Sequence, residues 1–160
     1  MQKVRIAQFI FLLIVLLFSS VIAADKNFYA ELSGSEVMPS VKTTAKGMAT
    51  FQIVKEGKEM TYKLTVTDIE NVTAAHIHEG KYGKNGPPVV SLFAGPKKEG
   101  KFSGTLSEGI ITVKDLSGSL KGKSFDQLIW LIEAEHAYVN VHTEKNPGGE
   151  IRGQILSHIK

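Results

Sequence analysis

From residue 28 onward the chain alternates apolar and polar positions with a period of two. Phe28, Ala30 and Leu32 share one face of "NFYAELS", and Ala49, Phe51 and Ile53 share one face of "MATFQIV". "MTYKLTVT" alternates most regularly, with Met60, Tyr62, Leu64 and Val66 opposed by Thr61, Lys63, Thr65 and Thr67. Such alternation is the mark of strands buried on one side. "KEGKE" (55–59) between the last two is polar and contains glycine, which predicts a hairpin connection. Further strands are expected at 74–78, 89–93, 101–106, 109–113, 137–142 and 150–156. The pattern predicts an all-β protein, an antiparallel, Greek-key-like sandwich or barrel. One segment departs from it. In "SFDQLIWLIEAEH", Phe125, Leu128, Ile129 and Ile132 follow helical spacing, and Ser124 with Gln127 reads as a capping box. A short helix near 125–135 is therefore expected, with Trp130 packed beside its apolar stripe.

The N-terminus has a different character. Lys3 and Arg5 precede an uncharged apolar run from Ile6 to about Phe18, which ends in Ser19, Ser20, Ala23 and Ala24. This is the layout of a signal peptide, with cleavage expected after Ala23. Removing residues 1–23 from the 160 leaves 137, enough for one domain with a core of its own, residues 24–160. The expected location is secreted, or periplasmic and otherwise extracytoplasmic, with no stable membrane insertion once the signal is cleaved.

Charge narrows the partners. The chain has 19 Lys and Arg against 16 Asp and Glu, and two of the cations lie in the signal, which leaves 17 against 16. A near-neutral domain gives no argument for nucleic acid or an anionic membrane. There is no cysteine, so disulfides, thiolate metal ligands and thiol chemistry are excluded. No HExxH, phosphate loop, dinucleotide glycine pattern or GxSxG occurs. "NVT" (71–73) is a glycosylation sequon whose use depends on the producing cell.

Candidate chemistry centres on three of the five histidines. In "AAHIHEG", His76 and His78 point to one face of a strand while Ala75 and Ile77 point to the other. Same-face neighbours stand roughly 7 Å apart at the backbone, within reach of one shared ion. In "YVNVHT", Tyr138, Asn140 and His142 lie opposite Val139 and Val141. All three histidines thus project from the side of the sheet away from the core. Two loops rich in Gly, Pro and Asn, "EGKYGKNGPP" (79–88) and "TEKNPGG" (143–149), are placed to cover them. His76, His78 and His142 are the candidate metal ligands, with Asn140 or Glu150 orienting an imidazole from behind. Copper or zinc would suit such a set. The competing reading is structural, with imidazoles that bond loop carbonyls and fix loop shape. Glu150 and Arg152 read as a partly exposed ion pair, and His136 and His158 as solvated.

Four stretches, "FYAELSGSEV", "TTAKGMATF", "AAHIHEGKYGKNGPPVVSLF" and "YVNVHTEKNPGGEIRGQI", together resemble the CHRD (chordin) domain family from about Phe28 to Ile155. One departure is "EVMPS", where the family motif usually continues as EVPP. The resemblance implies an extracellular β-sandwich module acting as a non-enzymatic binding domain, with an extracellular protein or other ligand as partner. A looser likeness is to the copper half of Cu,Zn superoxide dismutase, which also uses His-x-His plus a distant His under loops. It implies a copper-dependent redox enzyme as the alternative. That enzyme has a fourth copper histidine and a zinc loop, which have no counterpart here, and a shared architecture does not transfer activity.

Overall fold

The alternating segments pair into one antiparallel sheet that closes on itself in the computed structural model, which describes residues 26–157. The strands are β1 (Asn27–Ser33), β2 (Lys46–Val54), β3 (Glu59–Glu79), β4 (Pro88–Phe93), β5 (Lys98–Ile111), β6 (Ala137–Thr143), β7 (Ile151–Gln154) and β8 (Leu156–Ser157). A single α-helix, α1 (Phe125–Glu133), precedes β6. Hydrogen-bonded neighbours run β2–β1–β7–β6–β3, and β3 also pairs with β2, which completes the barrel. The all-β antiparallel class expected from the alternation is therefore the observed one, as a closed barrel with one helix. The expected signal segment and His158 lie outside the described residues. No helix among the described residues is long and apolar enough to cross a membrane.

β3 makes the closure possible. Its first half pairs with β2 from Glu59 to Thr67, and its second half pairs with β6 from Val72 to Glu79. Its other edge carries β5 from Met60 to Val72 and then β4 from Ala75 to His78. One 21-residue strand thus replaces the two expected at 60–67 and 74–78. The link was hidden because alternation breaks between them. Core positions run Leu64, Val66, then Ile69, Val72 and Ala75, at spacings that no flat strand gives. The ladder shifts register between Val66 and Ile69, between Glu70 and Val72, and between Val72 and Ala74. Asp68 and Asn71 take left-handed backbone at φ 52 and 51 within this stretch. The first and third shifts add a residue to β3 and the second adds one to β5, and such bulges bend the strands that carry them. The polar groups exposed there find partners: the Asp68 amide donates to Ser103 Oγ at 3.0 Å, and Asn71 Oδ1 accepts from the Gly100 amide at 2.8 Å.

Two strands expected at 101–106 and 109–113 are likewise one, β5: Ser107 and Glu108 continue the ladder, and the irregularity is a bulge at Leu106 just before them. It ends at Ile111, and Val113 falls in a one-turn helix capped by Thr112 and Asp115. α1 buries Phe125, Leu128, Leu131 and Ile132. That face leaves Trp130 on the opposite side, 56% exposed and edge-on to the half-buried His136, so the expected packing of Trp130 is not found. The capping box at Ser124 is also absent: the Gln127 amide bonds the Ser124 carbonyl at 3.1 Å and the hydroxyl makes no cap.

Inside the barrel lie Phe28, Ala30, Leu32, Phe51, Leu64, Ile77, Val139, Val141 and Ile151, all buried. The narrowest seam is between β1 and β7, which share the single register pair Ser33–Arg152. There the β7 backbone passes so close to β1 that a Cβ on Gly153 would sit 2.2 Å from the Glu31 carbonyl oxygen. Gly153→Ala should therefore open this seam and lower stability by about 1–3 kcal/mol, the usual cost of overpacking. Urea unfolding checks it, as a lower midpoint with an unchanged slope.

Candidate metal centre

Pairing of β3 with β6 brings the three histidines together. His76 lies opposite Asn140, His78 opposite Tyr138, and His142 opposite Ala74. Because Ala75, Ile77, Val139 and Val141 fill the core side, all three imidazoles stand on the outer face, as the alternation predicts. Their ring centroids form a near-equilateral triangle, 5.7 Å between His76 and His78, 5.2 Å between His76 and His142, and 5.7 Å between His78 and His142. One ligand nitrogen from each lies within 4.8 Å of the other two. A first-row ion held at about 2.0–2.1 Å from each nitrogen would require the rings to close in by only on the order of 1 Å.

The hydrogen bonds decide which nitrogens face the centre. His78 Nδ1 lies 2.9 Å from the Gly86 carbonyl oxygen, and His142 Nδ1 lies 2.9 Å from that of Pro147. A carbonyl only accepts, so Nδ1 carries the proton in both rings and Nε2 keeps its lone pair. Those two Nε2 atoms and His76 Nδ1 are buried polar atoms with no hydrogen-bond partner. An unpaired buried polar atom is costly, and three that converge are a stronger anomaly than one. The arrangement matches metal-binding imidazoles whose far N–H is anchored to a backbone carbonyl.

The loops that supply these carbonyls are firmly tied. On the 80–88 loop, Arg152 donates to Asn85 Oδ1 at 3.1 Å and to the carbonyls of Lys84 at 2.9 Å and Lys81 at 3.3 Å. Asn85 Nδ2 donates to the Met38 carbonyl at 2.7 Å, which draws the "EVMP" turn onto the same loop. The Gly86 amide donates to Tyr138 Oη at 3.1 Å. Gly86 itself is required by a close approach, since a Cβ there would lie 1.8 Å from the Glu79 carbonyl oxygen. On the second loop, Asn140 Nδ2 donates to the Gly148 carbonyl at 3.0 Å. Glu150 accepts from Thr43, Thr143 and Asn146 at 2.8, 2.7 and 3.1 Å.

These partners change two expectations. Asn140 and Glu150 bond no histidine; they brace the loop whose Pro147 carbonyl does. Nor do Glu150 and Arg152 form an ion pair: both are buried and each is hydrogen-bonded to other groups. Burial opposes the charge on Glu150, but the hydroxyls of Thr143 and Thr43 and the Asn146 amide outweigh it and hold its pKa below the ordinary value. Sequence reasoning missed Tyr138 and Arg152. The Tyr138 ring stacks on His78 at 5.1 Å and 15°, and the Arg152 guanidinium lies 3.6 Å from its other face. Their position on the histidine face was readable from strand alternation, but their stacking depends on how β6 and β7 pair.

Burial also keeps the imidazoles neutral. It is the leading cause lowering the pKa of His76, with His142 adding to it, and of His142, where the Pro147 carbonyl pulls the other way. His78 is pushed down to about 4, by burial first, against the opposing pull of the Gly86 carbonyl, and then by the positive charges of His142, His76 and Arg152. A neutral imidazole is the form that binds metal.

A closed antiparallel β-barrel with a loop-covered triad of neutral imidazoles on its outer face is a small all-β module with a candidate metal centre. The family model described as CHRD domain matches residues 28–155, and the chain belongs to the CHRD domain family. Chordin from Xenopus laevis is 30% identical over 148 residues, which cover 88% of this chain and 14% of that protein. The chain therefore spans a small fraction of the length of that relative. No solved structure matches, so the likeness to the copper half of superoxide dismutase rests on the placement of the histidines alone.

Two outcomes follow from this geometry. The folded pKa of His78 is depressed from 6.5 to about 4, so the unfolded chain binds a proton in that interval that the folded chain refuses. Stability of the metal-free protein is full above pH 6.5, declines as pH falls toward 4, and stops declining from this source below it. Thermal midpoints measured across that range should fall less steeply in His78→Gln than in the wild type. Arg152→Lys keeps the charge but loses the fork that grips Lys81, Lys84 and Asn85. It should lower stability by about 1–3 kcal/mol, with faster hydrogen exchange at the Gly86 amide.

Proposed function

We propose that this chain is an exported, single-domain CHRD module, a non-enzymatic binding domain that carries a copper or zinc ion on His76, His78 and His142. The observation that carries the metal reading is the convergence of three buried, unpartnered imidazole nitrogens whose opposite N–H groups are committed to loop carbonyls or left free. Export is supported by the charged, apolar and small-residue order of residues 1–24. Membership of the CHRD family supports an extracellular partner, which the barrel and its loops would present to solvent. The ion would lock the 80–88 and 143–149 loops into one shape through the Gly86 and Pro147 carbonyls. That couples metal occupancy to the surface available for binding.

The test is metal content by elemental mass spectrometry, on protein purified without a histidine tag after exposure to copper and zinc together. His76 makes no hydrogen bond through its ring among the described residues, so His76→Ala removes a ligand without releasing a loop; His142→Ala removes a ligand and a loop contact together. Wild type should hold about one ion per chain, and both variants should lose it while they stay folded by circular dichroism, as three-ligand sites do when a ligand is removed. Metal that is sub-stoichiometric and indifferent to both substitutions would make the histidines structural. Superoxide dismutation by the copper-loaded protein, abolished in His76→Ala, would favour the redox-enzyme reading over the binding module.

A further inference from the structure

The three imidazoles sit in a one-sided electrostatic environment. The fixed charge packed beside them is Arg152, which opposes added positive charge at His78. Arg152 lies behind the Tyr138 ring that stacks on His78, and its guanidinium is fixed there by the 80–88 loop. Among the described residues, no carboxylate joins the cluster of possible ligands, and none forms an ion pair with a histidine. The carboxylates closest in sequence are committed elsewhere: Glu144, two residues after His142, pairs with Lys97, and Glu79, next to His78, accepts from Ser119. Glu150, on the far side of the same loop, accepts from Thr43, Thr143 and Asn146. The three converging nitrogens are also shielded, each with less than 1 Å² exposed to solvent.

An ion in this position is stabilised by neutral nitrogens alone, beside a fixed cation and away from water. The cost of taking an ion out of water rises with the square of its charge, so it is roughly fourfold greater for a divalent than for a monovalent ion. A divalent ion on three neutral imidazoles keeps its full double charge unless it also takes an anion such as hydroxide from solvent, because no carboxylate among the described residues joins the cluster. Monovalent copper is soft, accepts imidazole and is satisfied by few ligands. We propose that the site discriminates by charge and holds copper as the cuprous ion, on His76 Nδ1, His78 Nε2 and His142 Nε2, in preference to cupric or zinc ions. The proposal rests on the metal reading above and adds the oxidation state that the site selects.

The full chain, expressed without a histidine tag, is titrated anaerobically with cuprous ion in competition with bicinchoninate. Parallel titrations use cupric and zinc ions in competition with nitrilotriacetate. Cuprous ion should bind at least ~100-fold more tightly than cupric, which places the reduction potential about 120 mV above that of the aqueous couple. Cupric or zinc binding of equal or greater strength overturns the selection while the metal reading survives. Absence of binding by all three ions overturns both.

A second variant tests the cause. Ala74 lies opposite His142, on the same face as His76, and is partly exposed. Ala74→Asp brings a carboxylate to the rim of the site, and Ala74→Asn brings the same shape without charge. The aspartate variant should lower the cuprous-to-cupric affinity ratio at least ~10-fold, about 59 mV in potential, relative to the asparagine variant. Equal ratios in the two variants would show that charge does not set the preference. Should the aspartate variant fail to fold, the wild-type ratio alone decides the proposal.

Discussion

The barrel and its candidate metal centre both depend on the bend in β3. A straight strand of that length would leave the sheet open, with β2 and β6 competing for one edge. Three register shifts between Val66 and Ala74 turn the strand so that β2 and β6 use successive parts of that edge. The path β2–β1–β7–β6 can then close around a core of alternating residues. The same shifts reset the alternation, so that Ala75 and Ile77 face inward and His76 and His78 face outward beside β6. Closing the sheet and building the histidine face are one geometric event.

On the outside of β3 and β6, a polar layer is buried by loops in place of a second sheet. Burying polar groups is tolerated only when they are bonded, and most of this layer is: Arg152, Asn85, Gln154 and Glu150 each have several partners. Among the described residues Asn140 Oδ1 and Gln154 Oε1 are also buried without a partner, but only the three imidazole nitrogens belong to one cluster of possible metal ligands. Arg152 and Glu150 are separately solvated by loop groups, one bracing the loop over His78 and the other the loop beside His142. Keeping those opposite charges apart leaves the three histidines with no carboxylate in their cluster among the described residues.

Much of the fold was legible because strand alternation is a local signal. The core faces of β1, β2, the first half of β3 and β6 followed directly from which alternate residues are apolar. The merging of strands in β3 and β5 was not legible, because a bulge looks like a break in alternation when its partner strand is unknown. Trp130 was misplaced for a related reason: helical spacing identifies an apolar stripe, but only the surface beneath α1 decides how wide that stripe must be. At the candidate site, the three histidines were identifiable by type, spacing and face. The backbone carbonyls of Gly86 and Pro147 were not, since no side-chain identity marks them.

By itself, the sequence determined the class of fold, the absence of thiol chemistry, the CHRD family pattern and the shared outward face of His76, His78 and His142. These follow from residue type and from a period of two, which every extended chain obeys. Only the tertiary structure decided that the sheet closes, which nitrogen of each ring faces the centre, and that Glu150 and Arg152 serve separate loops. Each of those depends on contacts between residues far apart in the chain, made by backbone atoms that all residues share. Their positions are set by register and bulges, and these exist only once the strands have paired.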